Sequence, residues 1–455
     1  MSLKPMLPAG TLDVQQFIDS RGFSARQWLV FAVCFLIMVA DGFDTAAIGF
    51  VLPSLTREWG VAKLALGPVL SASLIGMAIG ALAAGPCADR LGRRPVLIAS
   101  VLAFGVFSWI CGYAESLTSL TVWRFLTGLG LGAATPIATT LLSESVPTRY
   151  RALLLNSMFC GFTLGAAAGG LVAAAIIPAF GWRSVFIVGG VVPLLLAAVS
   201  VFLLPESIRF MVTRDWPIDR VKTALRRMTG AGEITATRFT PEAQSQGPAS
   251  ASVALMFQPG YRVGTLMLWL TYFMGVLIFY LITNWMPTLI KDSGLTQSHA
   301  SLVTALFPLG GALGTIACGW LMDRLNPHWV IAAAYLLSGV FVWTMGQAVG
   351  HADVLPALTF VAGIFVGASL VSMPALAASY YPTRGRASGV AWMLGMGRFG
   401  GILGAVLGGL LLQMGLDTAS IFGLLAVPAL IGMAAVVCKG SGRTDKAASA
   451  TLGIA

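Results

Sequence analysis

Charged residues are scarce in this sequence. Only 10% of its 455 residues are Asp, Glu, Lys or Arg, while 57% are hydrophobic, and an ordinary soluble domain carries roughly 25% charged residues. This composition excludes a water-soluble globular fold. Motifs typical of enzymes and metal sites are missing too. The sequence has no phosphate-binding loop, no nucleophile paired with a base and no cysteines at metal-site spacing. The sequence therefore predicts a protein that is not an enzyme and needs no cofactor.

The sequence instead contains twelve long apolar stretches. The hydrocarbon core of a bilayer is about 30 Å thick and is crossed by roughly 20 residues of α-helix. The predicted spans cover residues 27–52, 66–87, 96–114, 118–142, 152–177, 183–204, 263–286, 299–321, 329–347, 354–377, 387–412 and 419–438. A capping box, Ser24 with Gln27, marks the start of the first span, and the polar residues before it do not resemble a cleavable signal peptide.

The formal net charge of +10 is distributed unevenly along the chain. If the chain starts inside the cell, 22 of the 28 Lys and Arg residues fall on the cytoplasmic side, and Arg124 and Arg398 fall within spans. The outer loops hold only Arg57, Lys63, Arg183 and Lys291. Because cytoplasmic loops of membrane proteins are rich in Lys and Arg, both termini are predicted to be cytoplasmic. The basic charge reflects topology and does not indicate nucleic acid.

Two motifs reveal an internal repeat. Gly85, Asp89, Arg90 and Leu91 recur as Gly319, Asp323, Arg324 and Leu325, and Pro147, Thr148, Arg149, Arg151 and Ala152 recur as Pro382, Thr383, Arg384, Arg386 and Ala387. The offsets, 234 and 235 residues, agree closely, which indicates duplication of a six-helix unit. We predict an all-α membrane protein with two pseudo-symmetric six-helix bundles. Its segments are a cytoplasmic N-terminal segment (1–26), the first bundle (27–204), a cytoplasmic central loop (205–262), the second bundle (263–438) and a cytoplasmic tail (439–455).

The central loop is itself divided. A basic amphipathic helix is predicted at residues 219–228, and the Ser-, Gln-, Pro- and Gly-rich residues 241–250 are typical of a linker.

Three motifs carry a family resemblance. Residues 85–94 (GPCADRLGRR), residues 124–130 (RFLTGLG) and residues 205–209 (PESIR) resemble the signatures of major facilitator transporters. That resemblance implies two bundles that rock about a cavity near the middle of the membrane and so give alternating access.

A fourth motif narrows the resemblance within that superfamily. Residues 41–44 (DGFD) in the first span resemble the signature of the aromatic acid:proton symporters, and residues 280–287 and 397–401 support this match. The fifth span carries Ala166 where drug antiporters have proline, so drug export is not favoured.

The resemblance also implies a gate at the cytoplasmic loops. There, Asp89 and the loop arginines latch the bundles in the outward-facing state, with Glu144 and Arg149 as partners. The predicted gating residues are Gly85, Asp89, Arg90, Gly92, Arg93, Glu144, Arg149, Asp323, Arg324 and Arg386.

Charged residues inside the spans are the main candidates for function, because a lone charge at the bilayer centre costs a few kcal/mol or more. Asp41 and Asp44 lie on one face of their helix, and we predict that they couple transport to protons. Asp44 and Arg124 lie at matching depths, which predicts a contact between them; a permanent pair that only fixes the two helices is the alternative. Arg398 has no acidic residue on its own helix, so we predict that it binds the substrate's carboxylate, with Asp41 as the alternative partner.

The remaining predicted residues line a ring-shaped pocket. The substrate-binding set is Arg124, Phe162, Tyr280, Asn284, Trp285, Trp392 and Arg398, and Tyr272, Phe279 and Phe307 are further candidates.

The predicted function is proton-coupled import of a hydroxybenzoate-like acid by a monomer in the bacterial inner membrane. Its predicted partners are the acid, protons and the lipid bilayer. Three alternatives stay open: import of another organic acid or a sugar-like solute, drug:proton antiport, and reception of an aromatic acid without flux.

The predicted topology can be tested by cysteine labelling. In a background without the six native cysteines, single cysteines at Gly247 and Gly442 should resist a membrane-impermeant maleimide in intact cells and react after permeabilisation. A cysteine at His351, in a predicted outer loop, should react in intact cells. Labelling of either cytoplasmic position from outside would contradict the twelve-helix assignment.

Overall fold

The computed structural model describes residues 11–230, 232, 234, 236–240, 256–258, 260–349, 351, 353–381 and 386–440, without the side chains of Thr11, Ala152, Arg386 and Ala387. Twelve helices in this part of the chain are long and apolar enough to span a membrane, which confirms the predicted fold class. In chain order they are α1 (Ala25–Trp59), α2 (Gly67–Leu91), α3 (Arg93–Cys111), α4 (Leu117–Ser145), α5 (Thr148–Phe180), α6 (Arg183–Leu203), α7 (Arg262–Asp292), α8 (Gln297–Met322), α9 (Pro327–Gln347), α10 (Leu355–Tyr380), α11 (Arg386–Gln413) and α12 (Thr418–Gly440).

Local sequence explains where several helices begin and end. Ser24 and Gln27 form the predicted capping box at the start of α1, and Gly60 ends that helix with a φ of 63°. Gly92, between α2 and α3, has a φ of 107°, which strongly favours glycine because this residue has no Cβ.

Short elements accompany the membrane helices. They are the helices Val14–Asp19, Ile208–Thr213 and Ile218–Thr229, a 3₁₀ turn at Lys63–Leu66, and the strands β1 (Thr11–Asp13) and β2 (Arg238–Thr240), which pair in parallel with Thr11 opposite Arg238. The helix Ile218–Thr229 confirms the helix predicted at 219–228. The predicted linker at 241–250 lies outside the described residues.

The two halves repeat the same packing. In the first half, α1 packs on α5, α2 on α4, and α3 on both α4 and α6. In the second half the equivalent pairs, α7 with α11, α8 with α10, and α9 with α10 and α12, are in contact. Each pair in one half therefore has its counterpart six helices later, as expected for a duplicated six-helix unit.

The two bundles meet near one face of the molecule. We call the face where α1 begins and α12 ends the basic face, and the other the opposite face. Hydrogen bonds between the bundles lie near the opposite face: Gln297 Nε2 donates to the Phe50 carbonyl at 2.8 Å and Ser298 Oγ donates to the Ala174 carbonyl at 3.0 Å. Lys63 and Asp292 form an ion pair at the same face. These contacts lie between the bundles at the opposite face, and we call the space between the two bundles on the basic-face side of them the gap.

A glycine in α1 brings two predicted site residues together. A Cβ on Gly42 would lie 1.8 Å from the backbone oxygen of Phe162, so only glycine allows α1 and α5 to pack this closely. Asp41, the neighbour of Gly42, and Phe162 are thereby held at adjoining positions on the wall of the gap.

Candidate functional site

Asp44 and Arg124 form a fully buried ion pair inside the first bundle. Arg124 Nη1 donates to Asp44 Oδ2 at 2.8 Å, and Nη2 donates to the Asp44 backbone oxygen at 3.3 Å. Ser108 Oγ donates to the other carboxylate oxygen at 2.6 Å, and the guanidinium lies 5.6 Å from the centre of the Phe186 ring. The two side chains are 0% and 1% exposed, so the contact predicted from their depths is present and is fully buried.

Asp41 has a different environment. It is buried, but its carboxylate accepts only hydroxyl hydrogen bonds, from Thr135 Oγ1 at 2.8 Å and Thr45 Oγ1 at 3.3 Å. A threonine hydroxyl can donate to a carboxylate and can also accept from a protonated carboxyl. This hydrogen-bond shell therefore accommodates both protonation states of Asp41.

Arg398 lies on α11 across the gap from Asp41. It is half-buried, and among the described residues its guanidinium has no hydrogen bond or ion pair. It is near enough to Asp41, Tyr272 and Tyr280 for electrostatic interaction, yet no Asp41 oxygen lies within 4.0 Å of its nitrogens. A cation about 18 Å from the end of α11, at 1.5 Å per residue, is left without a direct counter-ion.

Aromatic rings from both bundles surround this part of the gap. Phe162 of the first bundle lies 6.3 Å from Phe279 of the second, measured between ring centres. Phe279 in turn contacts Tyr280 at 5.6 Å and Phe307 at 6.0 Å. Rings at these separations and tilts are typical of direct aromatic packing, so these side chains form one aromatic cluster that includes Tyr280, which interacts electrostatically with Arg398.

The other predicted substrate residues have varied positions. Trp285 is fully buried and its indole donates to the Ala405 backbone oxygen at 2.8 Å, which is a packing contact between α7 and α11. Trp392 is 47% exposed and stacks on Trp269, nearer the basic face. Asn284 is buried, and in the described part of the chain its amide makes no hydrogen bond.

The loop between α2 and α3 carries a second charged network. Arg93 pairs with Asp89 at 3.0 Å and with Glu144 at 3.6 Å. Glu144 also accepts a hydrogen bond from Ser207. Glu206 accepts hydrogen bonds from the backbone nitrogens of Arg93 and Arg94 at 2.9 and 3.2 Å. A carboxylate at this position stabilises α3, because the N-terminus of a helix carries partial positive charge. All these contacts stay inside the first half of the chain.

The remaining predicted gating residues contribute less to this network. Gly85 and Arg90 are exposed, and Arg149 donates to the Arg21 carbonyl rather than to Glu144. In the second copy of the motif, Arg324 covers the Trp320 ring at 4.0 Å, and Asp323 has no ion pair within the described ranges. The side chain of Arg386 lies outside the described residues.

Sequence reasoning missed three side chains that hold the charged groups. Ser108 and Thr135 bind the two aspartates of α1, and Glu206 caps α3. Glu206 belongs to the motif at 205–209, which offered a signal. Ser108 and Thr135 offered none, because hydroxyls are common in membrane helices.

Duplicated six-helix bundles, with charged and aromatic side chains between them, are the architecture found in many transporters. The chain belongs to the Major Facilitator Superfamily, which it matches over residues 34–223 and 268–451.

Named relatives narrow the class further. The chain is 50% identical to the 4-hydroxybenzoate transporter PcaK of Pseudomonas aeruginosa, over 96% of this chain and 98% of that protein. It is 45% identical to the gallate transporter of Pseudomonas putida, over 97% and 98% of the two chains. These relatives confirm the resemblance to the aromatic acid transporters of the superfamily and support the prediction that the chain is not an enzyme.

A solved structure shows the same fold. The xylose transporter XylE from E. coli, in a partially occluded inward-open conformation, superposes with a TM-score of 0.72 at 17% identity, covering 92% of this chain and 98% of XylE.

Because Asp44 and Arg124 form a buried ion pair, we expect substitutions at these two residues to have strongly non-additive effects on stability. Arg124→Gln leaves the Asp44 carboxylate buried without its counter-ion, which should reduce the free energy of unfolding by about 3–5 kcal/mol. Adding Asp44→Asn should recover much of that loss. Unfolding of purified protein in detergent measures both, and Arg398→Gln is the control because that guanidinium has no pair to break. A double variant no more stable than Arg124→Gln alone would contradict this account.

Proposed function

We propose that this protein imports an aromatic carboxylate together with a proton across the bacterial inner membrane. The observation that carries the proposal is the half-buried Arg398 guanidinium, which lies near the aromatic cluster of Tyr280 and Phe279 and has no ion-pair partner among the described residues. A buried cation is stable only with a compensating negative charge. The relatives named 4-hydroxybenzoate and gallate transporters support a hydroxylated benzoate as that anion.

The substrate's carboxylate is the natural partner of Arg398. A guanidinium offers two parallel N–H donors that match the two oxygens of a carboxylate. The aromatic cluster of Phe162, Phe279 and Tyr280 would then contact one side of the ligand ring, and the amide of Asn284 could bind a ring hydroxyl.

Asp41 is the proposed coupling group. When Asp41 is ionised it attracts Arg398 and competes with the substrate for it. A proton on Asp41 removes that competition, and its Thr45 and Thr135 hydrogen bonds can rearrange without loss. Proton binding therefore favours substrate binding, which is the linkage that symport needs.

Asp44 is proposed to act with Asp41 in coupling, but through the pair with Arg124. Its charge is already compensated, so protonation there would release Arg124 and loosen α1 from α4. We infer that Asp44 sets the position of α1, and with it the position of Asp41.

The proposed orientation follows from the charge asymmetry of the loops. With 22 Lys and Arg residues on one side against four on the other, the basic face is the cytoplasmic face. The gap then opens toward the cytoplasm, and the bundles of residues 27–204 and 263–438 are the bodies that rock, with the loop network around Asp89 and Arg93 as the gate.

Arg398 should be essential for recognition of the carboxylate. Arg398→Lys keeps the charge but loses the planar pair of donors, so the affinity for 4-hydroxybenzoate should fall markedly, and Arg398→Ala should abolish binding. Calorimetry on purified protein measures this, with the neutral 4-hydroxybenzamide as the matched ligand control. Equal affinity for acid and amide, or wild-type affinity in the Ala variant, would show that Arg398 only supports the structure.

Asp41→Asn should separate binding from coupling. Proteoliposomes with an inward pH gradient should no longer accumulate labelled 4-hydroxybenzoate, while exchange of labelled for unlabelled acid continues, because exchange needs no net proton movement. Asp44→Asn should also lose accumulation.

The wild type provides the contrast for both variants. A reversed gradient that drives wild-type uptake would indicate antiport, and no flux at all would indicate a receptor. An Asp41→Asn protein that still concentrates substrate with normal pH dependence would exclude Asp41 as the proton carrier.

A further inference from the structure

A cleft lies on the opposite face, at the junction of the two bundles. It has a volume of about 620 Å³, within the range of about 300–1,000 Å³ that is usual for small-ligand sites. Its walls come from α1, α5 and α7 and from the start of α8, and they include Ser54, Arg57, Ile177, Lys291, Leu295 and Gln297. We call it the junction cleft.

The cations of the opposite face divide into two kinds. Lys63 pairs with Asp292, and Arg183 pairs with Glu58 at 2.5 Å. The other two, Arg57 and Lys291, both line the junction cleft, and neither has a carboxylate within 4.0 Å among the described residues.

Nearby acidic groups compensate these two cations only in part, because Asp292, which interacts electrostatically with Lys291, forms its ion pair with Lys63. Glu58 lines the cleft, but its two oxygens are engaged by Arg183 and by the Trp182 indole, at 2.5 and 2.7 Å. Among the described residues, Lys291 donates a hydrogen bond only to the Pro53 carbonyl, at 3.4 Å. The two positive charges repel each other, and a bound anion would reduce this repulsion. A cleft lined by charges of one sign therefore concentrates anions.

The start of α8 adds to the positive potential. This helix of 26 residues begins at Gln297, and its N-terminal end, which carries partial positive charge, forms part of the wall. Gln297 Nε2 donates to the Phe50 carbonyl, whereas its Oε1 is buried and has no hydrogen-bond partner in the part of the chain that the structure describes. Ile177 and Leu295 provide apolar contact for a ring.

We propose that the junction cleft is an outer docking site for the hydroxylated aromatic anion, occupied while the bundles are closed at this face. The proposal rests on the proposed direction of import. The bonds from Gln297 to Phe50 and from Ser298 to Ala174 must break before the bundles can part here. A carboxylate held by Arg57 and Lys291 would therefore wait directly above the closed contact.

Transport kinetics test this proposal. Arg57→Gln, Lys291→Gln and the double variant should raise the KM for 4-hydroxybenzoate uptake, the double by on the order of 5- to 10-fold at low salt, since electrostatic steering changes association rates by 10-fold or more. The maximal rate should be unchanged, and the KM difference should shrink at high salt. Gln347→Glu, on an exposed residue at the end of α9, changes net charge as much as either single variant does and should leave KM unaltered. A KM that is unchanged, or that rises as much in Gln347→Glu, would overturn the proposal.

A labelling experiment tests occupancy without transport. A cysteine at Ser54, labelled from outside with a neutral polyethylene-glycol maleimide, should be protected by 4-hydroxybenzoate and not by 4-hydroxybenzamide. Protection should persist in the Arg398→Ala background and disappear in Arg57→Gln/Lys291→Gln. Loss of protection with Arg398→Ala would show that the central site, not the cleft, causes it, and absence of protection would overturn the proposal. Because this readout needs no flux, it also distinguishes failure of the cleft from failure of the proposed import.

Discussion

A charge in the membrane interior must have a partner, and this constraint organises the molecule. In the first bundle it is met internally, because Asp44 and Arg124 are fully buried and neutralise each other. The two other charges at mid-membrane, Asp41 and Arg398, belong to different bundles and are not in direct contact. Any motion of one bundle against the other changes the separation of that second pair and leaves the first intact. The first pair is therefore suited to hold structure, and the second to respond to bundle motion, a proton or an anion.

Close helix packing makes this arrangement possible. Gly42 allows α1 to lie against the backbone of α5, which fixes the depth and rotation of α1. Asp41 and Asp44 then point to different neighbours although they are only three residues apart: Asp44 to Ser108 and Arg124, and Asp41 to Thr135 and the gap. Two carboxylates on one helix thus acquire different surroundings from a single packing contact.

The sequence predicted features that depend on how deep a residue lies along its helix. It did not predict which neighbours a side chain faces, because that depends on the rotation of the helix about its axis. The number and approximate positions of the spans and the contact of Asp44 with Arg124 follow from counting residues at 1.5 Å each, and the duplicated bundles follow from the two repeated motifs. Trp285, in contrast, is turned into the contact of α7 with α11, where its indole donates to Ala405. Spacing alone could not distinguish that packing position from a lining position, nor could it identify Ser108 and Thr135. The roles proposed for Asp41 and Arg398 stay predictions, although their surroundings are now defined.

The distribution of unpaired cations raises the question of how an anion leaves. Under the proposed function, the substrate meets Arg57 and Lys291 at the opposite face, then Arg398 in the gap, and finally the arginines of the basic face. Positive charge therefore favours the anion along its whole path, and attraction alone would retain it. Release needs a competing negative charge at Arg398, and Asp41 is the acidic group that faces it. In the proposed symport, loss of the Asp41 proton would restore that competitor, so proton release and substrate release would occur as one event.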